Sequence, residues 1–124
     1  MTLAVTGGQV VPVVGKPIEN GTVLVENGII VSVGHQAEVE VPDDAEIIDA
    51  SGCWVLPGFV EAHGHVGVWE EGGAWAGNDV NEMTDPNGAR LRALDAINPD
   101  DEGFRDALSG GVTTVVVKIG RAHV

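Results

Sequence analysis

The chain has 124 residues, 44% of them hydrophobic, which is enough to build a core and falls within the ordinary range of one domain. Six Lys and Arg against 19 Asp and Glu give a formal net charge of −13, so a nucleic-acid backbone or an anionic membrane surface would repel it, and neither is expected as a partner. No apolar run approaches the roughly 20 residues that cross a bilayer. The opening MTLAVTGGQVV lacks the basic region of a secretory signal, so a cytoplasmic location is expected.

Eighteen glycines fall largely between short apolar runs, and the first half reads as strands and tight turns. Residues 3–14 predict one or two short strands around a turn at Gly7-Gly8. In Gly21-Thr-Val-Leu-Val-Glu-Asn-Gly-Ile-Ile-Val-Ser-Val33, two β-branched runs flank Asn27-Gly28, a dipeptide that accepts the positive φ angles of a type I′ turn; this predicts a hairpin. Pro42-Asp-Asp44 breaks the pattern, residues 46–49 form a further short strand, and Ser51-Gly52 turns the chain into Cys53-Trp-Val-Leu-Pro57. Residues 1–57 are thus expected to be a small antiparallel β unit. Cys53 has no partner for an internal disulfide, and its neighbours Trp54, Val55 and Leu56 predict a small buried hydrophobe.

After Pro57-Gly58 the texture changes, because Phe59-Val-Glu-Ala-His-Gly-His-Val66 is an apolar strand whose far end turns polar. A buried strand carrying function at its end is expected. Residues 67–98 form a long loop or short helical pieces, residues 89–96 among them, and loops this long are usually functional. Pro99 is expected to open a helix with Asn98 as N-cap, and with Asp100, Asp101 and Glu102 complementing the positive end of its dipole. Phe104, Ala107 and Leu108 supply its apolar stripe, and Gly110-Gly111 end it. Residues 112–117 are dense in β-branched side chains and suit a strand buried on both faces. Strand, loop, helix, strand is a parallel βαβ unit, which is how a (β/α)8 barrel starts.

His63 and His65 are the candidate metal ligands. On a strand, residues i and i+2 share a face about 6.5 Å apart. Both imidazoles can therefore reach one ion at about 2.0–2.1 Å. Four histidines in 124 residues produce a His-x-His pair by chance about one time in eight, so position must supply the rest: ligands at the carboxyl end of a buried strand lie where barrel active sites lie.

Pro57-Gly-Phe-Val-Glu-Ala-His-Gly-His65, preceded by Ile48-Asp-Ala-Ser-Gly-Cys-Trp-Val-Leu56 and by the hairpin segment, resembles the opening of the amidohydrolase superfamily. Within it the similarity is to imidazolonepropionase-like and dihydroorotase-like enzymes. Gly111-Val-Thr-Thr-Val115 resembles the second barrel strand, so the likeness covers nearly the whole chain. Where many relatives have Asp two residues before the first histidine, this chain has Glu61. The resemblance implies a composite β-sandwich, of which residues 1–57 are the amino-terminal part, beside a (β/α)8 barrel that starts at residues 58–118 and is incomplete here. It further implies one or two divalent ions, zinc suiting the imidazoles, and hydrolysis of the C–N bond of an amide, lactam or cyclic imide by metal-activated water. The partner would be a small-molecule substrate, and the full-length protein could be a homo-oligomer. Relatives complete the site with a carboxylated lysine or a glutamate, two further histidines and an aspartate from later strands.

A complete barrel needs about 250 residues, so the chain is expected to be a truncated and inactive fragment. Ile119-Gly-Arg-Ala-His-Val124 resembles the translation of a common sequencing-library adapter; residues 119–124 are expected to be an artefact, with no function for Arg121 or His123. Trp69, Glu70, Glu71 and Trp75 follow the metal strand and are candidates for substrate contact; otherwise the tryptophans pack the loop and the carboxylates are solvated. Asn81, Glu82, Arg90 and Arg92 carry less signal. His35 reads as a turn residue. Lys118 ends the second strand, yet the family's bridging lysine belongs on a later one, so that role is not carried over. Two other readings remain: a non-catalytic scaffold relative on the same fold, and a self-contained β-rich binding module. The module would unfold cooperatively as a monomer, whereas the apolar runs at 59–66 and 112–117 favour aggregation.

Overall fold

Strand β1 (Thr2–Val10) organises the first half of the chain in the computed structural model, which describes residues 1–81, 84 and 87–119. The chain divides into two units, Met1–Pro57 and Gly58–Val124. In the first, β1 pairs antiparallel with β2 (Ile18–Glu26), and β2 pairs antiparallel with β3 (Ile29–His35). The turn between β2 and β3 is the one its dipeptide predicts. Asn27 and Gly28 take φ of 50° and 81°, the signature of a type I′ turn, whose twist matches that of the strands it joins. β1 is a single strand, and Gly7-Gly8 forms a bulge within it: the register against β2 shifts there and Gly7 takes φ of 80°.

The sheet is mixed, not antiparallel as expected. Strands β4 (Glu46–Asp49) and β5 (Trp54–Val55) both pair parallel to β1, β4 against Leu3–Thr6 and β5 against Gln9 and Val10. The cause lies in the connection after β3, where Val39 is buried against Ala4 and Leu24, with Val41 packed beside them. That contact carries the chain back across the sheet, so β4 starts beside the beginning of β1 and runs with it. Asp49 then turns the chain: its carboxylate accepts from the Ser51 hydroxyl at 2.5 Å and the Ser51 N–H at 2.9 Å. The hydroxyl and backbone hydrogen bonds from Ser51 hold the Asp49 carboxyl below the usual 3.8. His35 is the last residue of β3, opposite Gly21, and not itself in the turn; its Nδ1 accepts from the Ala37 N–H at 3.2 Å as the chain turns. Cys53 is exposed, contrary to expectation. It precedes a strand only two residues long and lines an open groove of about 340 Å³ with Gln9, Glu19, Asn20 and Trp54.

In the second unit β6 (Phe59–Gly64) pairs parallel with β7 (Val112–Val117), Phe59 opposite Val112 and Gly64 opposite Val117. The strands approach closely where they begin: a Cβ on Gly58 would overlap the Thr113 side chain. Helix α1 (Glu102–Ser109) lies between them in sequence and ends at Gly110 and Gly111, the latter with φ of 84°. Its start differs from the expectation. Asn98 uses its side chain to accept from the Asp100 N–H within a turn, and Asp101 is the N-cap, accepting from the Gly103 N–H. Residues 89–96 form no α-helix; they hold one 3-10 turn (Ala93–Asp95), with Arg92 and Asp95 paired at 2.6 Å.

Neither β6 nor β7 is buried as expected: Phe59, Val60 and Val116 are exposed, and so is Leu108 of α1. Among the described residues one helix accompanies a two-stranded sheet, and two strands present more apolar face than one eight-residue helix covers. No described helix is long and apolar enough to cross a membrane.

Thr22 is 0% exposed and its hydroxyl has no hydrogen-bond partner. Replacing it by Val removes an unsatisfied polar group, so Thr22→Val is expected to stabilise the first unit by about 1 kcal/mol in urea denaturation followed by amide NMR. Gly28→Ala, which places a Cβ at a left-handed position, is expected to cost about 1 kcal/mol in the same measurement.

Candidate metal centre

Strand β6 runs into Glu61-Ala-His-Gly-His65, with His63 inside the strand and His65 one residue past its end. Pairing with β7 is irregular between Glu61 and Gly64, so the two histidines sit on a distorted strand terminus. Their ring centroids are 5.4 Å apart and the ring planes lie at 85°. Two imidazoles that each bind one tetrahedral ion at about 2.0–2.1 Å have ring centres about 5 Å apart, a separation close to that of this pair. His63 is exposed and His65 half buried, which leaves the pair open to a ligand.

The second ring is held in place. His65 Nδ1 lies 2.7 Å from the Lys118 carbonyl oxygen just past β7, and a carbonyl can only accept. In the neutral ring that contact puts the proton on Nδ1 and the lone pair on Nε2, a tautomer through which histidine binds metals. Lys118 takes part through its backbone alone, its N–H donating to the Gly64 carbonyl at 3.0 Å. Glu61 turns its carboxylate back on the strand and accepts the His63 N–H at 2.9 Å. Among the described residues no group of three or more His, Cys, Asp or Glu is placed to hold a metal, so Glu70 and Glu71 do not complete a ligand set with the histidines.

The loop after His65 is ordered by its own backbone. Val68 and Trp69 N–H groups donate to the His65 carbonyl, Asp79 donates to Val68, and a 3-10 turn (Ala74–Gly77) closes the excursion. Val68 and Val80 are its buried hydrophobic residues, while Trp69 and Trp75 are 57% and 88% exposed. The tryptophans therefore do not form the interior of the loop. Glu70 is half buried against Gly77, and Glu71 is exposed. Glu82, Arg121 and His123 lie outside the described residues.

Asp101 is the buried carboxylate beside the site that sequence reasoning missed, having counted it only as a charge near a helix end. Its carboxylate is 7% exposed and accepts three backbone N–H groups: Gly67 at 2.7 Å, Glu71 at 3.0 Å and Gly103 at 3.1 Å. The local signal that existed was an N-cap preference shared equally by Asn98, Asp100 and Asp101. Burial pushes the Asp101 carboxyl up, but the donors from Glu71, Gly103 and Gly67 outweigh it and leave the group below the usual 3.8. A lowered folded value means the stabilisation is complete above 3.8 and is lost only as pH falls through the lowered value. A carboxyl-carbon NMR titration of Asp101 is thus expected to give a midpoint below 3.8; a midpoint above it contradicts the three-donor cradle.

No family model matches the chain. The chain is 38% identical over 104 residues to amidohydrolase tasK of Hapsidospora irregularis, a match that covers 83% of this chain and 11% of that protein. With the 5-methylthioadenosine/S-adenosylhomocysteine deaminase of Symbiobacterium thermophilum it shares 36% identity over 118 residues, covering 90% of this chain and 27% of that protein. Among solved structures, an amidohydrolase from Thermotoga maritima MSB8 matches with a TM-score of 0.86 at 40% identity, covering 98% of this chain and 30% of that one. The chain spans less than a third of the length of each of these relatives.

Proposed function

Because the chain belongs to the amidohydrolase superfamily, we propose that His63 and His65 are two ligands of a divalent metal in a protein that hydrolyses a C–N bond of a small molecule. The observation that carries this reading is the arrangement of the pair: two rings at 5.4 Å, one of them fixed through Nδ1 so that Nε2 is free to bind. Zinc suits two imidazoles, in a site of one or two ions. Bound there, the ion would polarise the scissile carbonyl and make water a nucleophile near neutral pH.

The chain's own residues supply position. Lys118 holds the His65 ring through its carbonyl, and Glu61 fixes the backbone at His63. The exposed Trp69 and Trp75, with Glu70 and Glu71, stand on the loop that leaves His65 and are the proposed contacts for substrate. In this reading β6, α1 and β7 are the opening of a (β/α)8 barrel, because the strands are parallel, a helix connects them and the histidines sit at the carboxyl end of the first. The first unit is the amino-terminal part of a composite β-sandwich. With two ligands among the described residues, the 124 residues alone are expected to bind metal weakly and to turn over no substrate.

Titration of the chain with Co(II), followed by visible absorption and by paramagnetic broadening of assigned imidazole signals, tests the ligand assignment. His63→Ala and His65→Ala are each expected to weaken binding at least about ten-fold, the loss that removal of even an outer partner of a metal ligand causes. Binding that survives both substitutions unchanged, or broadening centred elsewhere, rejects it.

A further inference from the structure

Three backbone donors from two separate segments converge on one buried carboxylate, and both segments lead to His65. On one side, Gly67 and Glu71 belong to the loop that starts at His65, and the 65–69 turn that opens it is closed by the Val68 and Trp69 N–H groups on the His65 carbonyl. On the other side, Gly103 is in the first turn of α1, the helix that delivers β7, whose following residue Lys118 holds the His65 ring. The backbone and the imidazole of His65 are thus constrained through two routes that meet at Asp101. The contact is close packed as well as hydrogen bonded: Gly67 has φ of 81°, and a Cβ there would stand 3.0 Å from both Ile97 and Phe104. Asn98 adds a further tie, its N–H donating to the Gly67 carbonyl at 2.7 Å.

We propose that Asp101 is a positioning residue for the metal centre, its buried carboxylate clamping the 67–71 loop to the start of α1 and thereby setting the His65 ring for binding. This rests on the reading of His63 and His65 as ligands. Asp101 is assigned position and not ligation because its two oxygens are already taken by three backbone N–H groups. A carboxylate is the side chain suited to this task, because it has two oxygens and only acceptor sites, whereas an amide in its place turns an NH2 group toward at least one of the three donors. The exposed neighbours Asp100 and Glu102 carry the same charge but make no such bridge. Charge near the helix end is therefore not what distinguishes Asp101.

The test uses the full 124-residue chain and two readouts, amide exchange at Gly67 and Glu71 without metal and Co(II) affinity. Asp101→Asn and Asp101→Ala are expected to speed exchange at both amides about ten-fold and to weaken Co(II) binding by roughly ten-fold. Glu102→Gln is expected to change neither. Protection of the β6 and β7 amides in the same spectra reports whether the second unit remains folded; if Asp101→Ala unfolds it, Asp101→Asn, which keeps one acceptor oxygen, carries the test. Faster exchange with unchanged Co(II) affinity overturns the positioning role and leaves the ligand assignment standing. Unchanged exchange overturns the clamp itself, as does an equal effect from Glu102→Gln. If the unsubstituted chain binds no Co(II) at His63 and His65, the ligand reading fails, and the inference fails with it.

Discussion

Two parallel strands cannot be joined by a tight turn, so pairing β6 with β7 obliges the chain to leave one end of the pair and return to the other. The second unit follows from that obligation. The chain returns by a loop whose described residues 65–79 are folded on their own backbone bonds, and then by α1. Such a crossover has two weak points: the departure, where backbone groups leave the ladder, and the helix start, where N–H groups have no partner within the helix. A single side chain answers both. Asp101 takes two N–H groups from the departing loop and one from the helix, a demand that sheet and helix geometry alone would leave unmet.

The first unit solves the same problem in a different way. Its β1 accepts a hairpin on one edge and two parallel returns on the other, and the returns are steered by apolar contact in place of a carboxylate. Val39, Ala4 and Leu24 form the small core that carries the connection over the sheet. The bulge at Gly7-Gly8 lets β1 change partners from β4 to β5 along one edge. A Cβ on Gly8 would stand 2.8 Å from Val55, so the residue is small because the neighbouring strand is near.

Chemistry gathers where the parallel pair ends. The polar residues of β6 fall at its carboxyl terminus, where the ladder loosens and side chains gain room to face a ligand. His65 stands past the last paired residue and would be free to turn, but the Lys118 carbonyl fixes both its orientation and its protonated nitrogen. That contact matters because a metal-binding imidazole usually donates its other N–H to a carbonyl or carboxylate, which fixes the ring's orientation. The same strand faces remain exposed over Phe59 and Val60, so the fold supplies position at this end before it supplies burial along the strand.

The sequence by itself determined what local geometry decides. Asn27-Gly28 specified a hairpin because few other dipeptides accept two positive φ angles, and the period-2 spacing of His63 and His65 put two imidazoles within reach of each other. The β-branched run at 112–117 and the double glycine before it announced a helix end and a strand. Tertiary structure decided the rest, wherever the competing choices were locally equal. Asn98, Asp100 and Asp101 are all good caps, and only the arrival of Gly67 and Glu71, 34 and 30 residues earlier in the chain, made Asp101 the one that is buried. The parallel direction of β4 and β5 depended on where Val39 packs, and the exposure of Cys53 on how short β5 is. The exposure of β6 and β7 depended on how little helix faces them. Each of these is a contact between segments distant in sequence, and no periodicity within a segment encodes its partner.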